Sequence, residues 1–85
     1  MPKLFSMLGY TIYFWSRETE EPIHVHICKG KARQNATKVW ILKNDIVVLE
    51  HNKSNIPMHD LNKLLRAITD NIEMIKGEWD KFFKR

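Results

Sequence analysis

Two histidines and one cysteine alternate along a short segment and are the residues of this chain best suited to chemistry. Residues 23–28 read Ile-His-Val-His-Ile-Cys, and strict alternation of apolar and polar side chains is typical of a β-strand. In a strand, His24, His26 and Cys28 point to one face, and the two imidazoles lie about 7 Å apart. The apolar residues between them supply the buried face of the strand, so both imidazoles are expected to be accessible.

One chemical use of this row is metal binding. Neutral imidazoles and a thiolate suit Zn²⁺ or another late transition metal, and Glu21 or His51 would complete the shell. However, the sequence contains no Cys-x-x-Cys or His-Glu-x-x-His pattern, and ligands on one strand need partners from elsewhere to converge. No metal and no other cofactor is therefore predicted.

A second use is general acid–base catalysis, since the ordinary histidine pKa of about 6.5 suits proton transfer near neutrality. Glu21 would orient one ring and nearby cations would hold a phosphate, as in a metal-independent ribonuclease.

A third interpretation is structural, with one imidazole packed in the sheet and hydrogen-bonded, and the other an ordinary exposed residue. Whether the chain is an enzyme stays open. The predicted binding residues are Glu21, His24, His26, Lys29, Lys31 and Arg33.

The elements that must position these residues follow from periodicity. Alternating or β-branched runs predict strands at 9–15, 23–28, 37–42 and 46–50, the third entered near residue 31 with a bulge at 33–35. Short polar turns between the later strands predict an antiparallel meander. The fold class is therefore α+β, with about four strands followed by a C-terminal helical segment.

The helical segment shows an apolar stripe at spacings of three and four residues. Its members are Met58, Leu61, Leu65, Ile68, Ile72, Ile75, Trp79 and Phe82. One continuous helix of this length would span about 42 Å, longer than the sheet beneath it. The sequence at 69–71 predicts a break that lets both halves pack on one sheet face. The alternative is one long helix whose excess stripe pairs with a second chain, so a homodimer is also expected.

Composition limits the class of protein. The 85 residues form one domain, 1–85, and a single cysteine excludes an intramolecular disulfide. No apolar run approaches the ~20 residues of a membrane span, and the first residues do not read as a secretory signal, so a cytoplasmic protein without membrane contact is expected. The net charge of +4 is compatible with nucleic acid but does not demand it.

Several segments together resemble a known family. They are Glu-Pro-x-His-x-His-x-x-Lys-Gly at 21–30, Lys-x-Trp at 38–40 and Trp-x-x-Phe at 79–82. The combination is similar to the bacterial Domain of Unknown Function 4160 family. The resemblance implies a small cytoplasmic protein, a possible toxin–antitoxin or operon partner of another small protein, and it brings no catalytic residues.

The leading functional hypothesis is accordingly a non-catalytic interaction module. It would bind a protein from the same operon, or nucleic acid, near the His-x-His strand. The alternative is a small hydrolase or nuclease that uses His24 and His26 as acid and base or as metal ligands.

Overall fold

A single antiparallel sheet is formed by the N-terminal part of the chain, and two helices follow it. The computed structural model describes residues 3–14, 21–30 and 35–83. Within them, five strands pair in chain order, each antiparallel to the next. The strands are β1 (Lys3–Met7), β2 (Tyr10–Tyr13), β3 (His24–Lys29), β4 (Thr37–Ile41) and β5 (Val47–His51), and a 3₁₀ turn at Lys43–Asp45 joins the last two. The predicted meander is confirmed, with one strand more than expected.

The additional strand, β1, precedes the first predicted one and joins β2 through a two-residue turn. Both turn residues have positive φ, 54° at Leu8 and 80° at Gly9, as a type I′ hairpin requires. The usual signal for this turn is Asn-Gly, because a leucine side chain disfavours the left-handed region. The predicted strand 9–15 ends at Tyr13 in the structure. Trp15, the predicted start of the third strand near residue 31 and the first two residues of its predicted bulge, 33 and 34, lie outside the described residues. The third bulge residue, Asn35, lies in a turn with a φ of 61°.

The helical segment is broken where the sequence predicted. Helix α1 (Met58–Asp70) and helix α2 (Ile72–Phe83) are separated by Asn71, whose φ and ψ are −112° and 19°. The Asn71 side-chain amide donates to the Ala67 carbonyl at 2.7 Å, and its backbone N–H lies 3.1 Å from the same oxygen. The Ala67 carbonyl thus accepts two hydrogen bonds from Asn71, whose non-helical backbone angles end the first helix.

Both helices pack on the same face of the sheet and close the core. Their buried residues are Leu61, Leu64, Ile68, Ile72, Ile75 and Trp79. The predicted stripe is wrong at its two ends, because Met58 is 68% exposed and Phe82 is 39% exposed. The predicted stripe also contains Leu65, which is only partly buried, in place of Leu64, which is fully buried. The break removes the overhanging helix on which the expected homodimer depended.

The helices also bear on membrane contact. Among the described residues, no helix is both long enough and apolar enough to cross a membrane.

Candidate functional site

The histidine strand β3 has the two faces that its alternation predicts. Val25 and Ile27 are fully buried in the core shared with the helices. His24, His26 and Cys28 point to the opposite side of the sheet, called here the outer face. Across β3, His26 lies opposite Tyr13 of β2 and Lys38 of β4. His24, at the first position of β3, also contacts Trp79 of the core, so its surroundings differ from those of His26.

His24 is nevertheless not accessible. It is 1% exposed, and its ring lies 5.2 Å from the Trp40 ring and 5.4 Å from the Trp79 ring, centroid to centroid. Its Nδ1 donates to the Pro22 carbonyl at 2.8 Å, since a carbonyl oxygen can only accept. The expectation that both imidazoles face solvent is therefore wrong for His24. Replacement of both histidines by Gln is therefore expected to lower the melting temperature, because one of them is a buried, hydrogen-bonded residue.

His26 is half-buried and lies between two other rings. It stacks on Tyr13 at 5.6 Å with an interplanar angle of 27°, and it meets His24 edge-on at 5.1 Å. Tyr13 and Cys28 are both buried and form a small second cluster with Ala36. The cysteine of the predicted row is thus part of a packed outer layer.

An ion pair connects the loop before β3 to strand β4. The Lys38 ammonium lies 2.8 Å from a carboxylate oxygen of Glu21 and 4.3 Å from the centre of the Trp40 ring. The Trp40 indole N–H donates to Glu50 at 2.6 Å. Glu21, predicted to orient an imidazole, is thus held by a lysine. We call Glu21, His26, Lys38, Trp40 and Glu50 the outer-face cluster.

The predicted basic residues do not join this cluster in the described structure. Lys29 is exposed at the far end of β3, and the alternation of the strand places it on the side opposite the histidines. Lys31 and Arg33 lie outside the described residues. A phosphate held between Lys29 and the two histidines is therefore not supported by the geometry.

The metal alternative requires further ligands that converge on the two histidines. Over residues 3–14, 21–30 and 35–83, no group of three His, Cys, Asp or Glu side chains comes together in a way that would hold a metal ion. His24, His26 and Cys28 lie in a row along one strand, and a row by itself does not surround an ion.

His51, at the end of β5, has a perturbed environment. Its Nδ1 is buried and has no hydrogen-bond partner among the described residues. Burial is the main cause that lowers the pKa of His51 below its ordinary 6.5, and the positive charge of Lys53 adds to it, although Glu50 acts in the opposite direction. The neutral form of the ring is therefore favoured in the folded protein.

This environment predicts a pH effect on stability. Below pH 6.5 the unfolded chain binds a proton at His51 more readily than the folded chain does. The free energy of unfolding therefore decreases as the pH falls toward the pKa of His51 in the folded state. Replacing His51 with Gln should flatten the loss of stability between about pH 7 and 5. Urea titrations at several pH values across this range measure the free energy of unfolding of each variant. Exposed His59 replaced by Gln is the control, and an identical slope in both variants would contradict the prediction.

A family model described as Domain of unknown function (DUF4160) matches residues 9–80. The chain belongs to this family. The DUF4160 match begins after β1 and spans the rest of the sheet, the outer-face cluster and the helices as far as Trp79. Searches of curated proteins and of solved structures found no match.

Sequence reasoning missed the association of Lys38 and Trp40 with the histidines. Both alternate on β4 as the histidines do on β3, and pairing the strands through the short connection would have placed Trp40 opposite His24. The alternation of Lys38 and Trp40 was visible in the sequence. Placing these residues beside the histidines, however, requires the register between two strands, which the pattern of one strand does not give.

Proposed function

We propose that this DUF4160 protein is a non-catalytic interaction module that binds a protein partner through the outer-face cluster. The burial of His24 carries this proposal. An acid–base pair must reach the reacting atoms with both members, and of the two imidazoles only that of His26 is partly exposed. The remaining accessible groups are suited to recognition rather than to proton transfer.

The charges of the cluster favour protein over nucleic acid. Lys38 is paired with Glu21, and Glu50 lies beside Trp40, so the cluster holds two carboxylates and one ammonium. Phosphate backbones need accumulated positive charge, and carboxylates repel them. A partly exposed tryptophan is instead one of the residue types most enriched at protein-interface hot spots.

The partner is expected to be a small protein encoded beside this one in a bacterial genome. This part of the proposal rests on the family resemblance, which implies operon partners and a toxin–antitoxin-like arrangement. A cytoplasmic location follows from the same reasoning, together with the lone cysteine.

The test uses the proteins encoded by the two flanking genes, each purified and titrated into this protein by calorimetry. Replacing His26 with Ala, or Trp40 with Phe, should weaken binding to one of them at least about tenfold. Lys81 replaced by Ala is the control, because this residue is exposed on α2. Circular dichroism confirms that each variant is folded.

Two outcomes would contradict the proposal. Binding that both variants leave unchanged would exclude the outer-face cluster as the contact surface. Hydrolysis of RNA or of a phosphodiester by the wild type, lost in the variant with Ala at position 26, would instead establish the catalytic alternative.

A further inference from the structure

We propose that strand β5 is a self-association edge, and that two copies of the chain pair antiparallel through it to form one continuous sheet. This goes beyond the proposed function, because it concerns a different partner and the edge of the sheet, although Glu50 of β5 belongs to both surfaces. It also replaces the overhanging helix with another route to a homodimer.

The first argument is that, in the part of the chain that the structure describes, no further strand pairs with the outer side of β5. β5 is the last strand of the sheet. The Leu42 N–H donates to the Ile46 carbonyl at 2.8 Å, and hydrogen-bonded pairs alternate along an antiparallel ladder. Val48 therefore directs its backbone groups toward β4, while Val47 and Leu49 direct theirs away from the sheet. Such groups are a template for another strand.

The second argument is the concentration of apolar side chains beside this edge. Eight large hydrophobic side chains are exposed among the described residues, and half of them lie in the segment from 42 to 49: Leu42, Ile46, Val48 and Leu49. The opposite edge strand, β1, exposes only Lys3 and Ser6. Polar residues are the usual protection of an edge strand. In β5 the protecting features are exposed Glu50 and the register shift beside it, while Val48 and Leu49 are exposed apolar residues.

The third argument is self-complementarity, which selects a second copy over another protein. A two-fold axis through Leu49 places this residue against Leu49 of the second copy, as a hydrogen-bonded pair. Val48 then faces Glu50 of the second copy, and Val47 faces His51. No like charges lie opposite one another, and directly opposed like charges are what destabilises strand pairing.

The pairing has a consequence for the outer face. A two-fold axis perpendicular to the sheet keeps both outer faces on the same side. Two outer-face clusters would then lie on one continuous surface of ten strands. An interface based on one five-residue strand per copy is small, so association in the micromolar range is expected.

The experiment measures mass by light scattering from low micromolar to near-millimolar concentration. The wild type should rise from 10.2 kDa toward twice that mass. Leu49→Lys should weaken dimerisation at least about tenfold, because two lysines would meet at the axis. Leu8→Lys is the matched control, since Leu8 is also an exposed leucine but lies in the first hairpin.

A charge-pair test defines the register. Leu49→Lys and Leu49→Glu should each be monomeric alone and should dimerise when mixed in equal amounts, since opposite charges would then meet at the axis. If a variant fails to fold, amide hydrogen exchange of the wild type serves instead. Protection at Val47 and Leu49 should increase with protein concentration, while Val48 stays protected throughout.

Three results would overturn the inference. They are a mass of 10.2 kDa at every concentration, a dimer that survives Leu49→Lys, and a monomer that uses β5 to bind a flanking-gene protein. Each leaves the proposed function separately testable, because the substitutions at His26 and Trp40 lie outside β5.

Discussion

Replacing Trp79 with Ala is expected to lower the free energy of unfolding by about 3–5 kcal/mol. The indole is 1% exposed and contacts Phe14 edge-on at 5.2 Å and Phe83 at 4.2 Å between centroids. It also closes over His24 from the helix side. Since domains have total stabilities of about 5–15 kcal/mol, this substitution should remove a large fraction of the stability and lower the urea midpoint accordingly. Urea denaturation followed by circular dichroism measures the change.

The same helix provides the matched control. Phe82 contacts Phe14 at 6.3 Å but is 39% exposed, so Phe82→Ala should cost less than half as much as Trp79→Ala. Truncation before Glu78 removes the rings of Trp79, Phe82 and Phe83 and should prevent folding. A truncated chain with an unchanged cooperative melt would contradict the role assigned to the end of α2.

Replacing Asn52 with Ala is expected to cost about 2–4 kcal/mol, because three hydrogen bonds are lost and buried groups are left without partners. Its carbonyl oxygen accepts from the Thr37 hydroxyl at 2.6 Å and from the Ile56 N–H at 3.0 Å. Its amide donates to the Ile56 carbonyl at 2.9 Å. Thr37 is fully buried and lies 2.5 Å from the Ser54 hydroxyl. This network fixes the connection between β5 and α1.

Thermal melts of Asn52→Ala and Asn62→Ala give the comparison. Asn62 is exposed within α1, where alanine is the better helix former, so its replacement should be neutral or slightly stabilising. Equal melting temperatures for the two variants would show that the Asn52 network contributes nothing to the fold.

The elements with the strongest periodicity were predictable. Alternation located β3, and the mismatch between helix length and sheet length located the break that Asn71 makes. The first hairpin was not predictable, because its turn begins with Leu8, a residue that rarely occupies a left-handed conformation. A local pattern identifies a hairpin only when the turn residues are the usual ones.

The candidate site was predictable as a set of residues on one face, but not in its accessibility. Alternation states that His24 and Val25 point to opposite sides of β3. It carries no information about Trp79, which comes 55 residues later in the chain and covers His24. Burial of a polar residue at the end of a strand depends on the packing of a distant helix, and a pattern within one strand does not contain it.

The burial of Cys28 makes the protein a convenient reporter of its own unfolding. Cys28 is the single thiol of the chain and is 1% exposed, so an alkylating reagent reaches it only when β3 opens. Brief labelling with iodoacetamide, read by mass spectrometry, would therefore count open molecules directly at any temperature. Because this assay needs no added fluorophore or tag, it can follow variants of different mass, such as Trp79→Ala and Phe82→Ala, in one mixture.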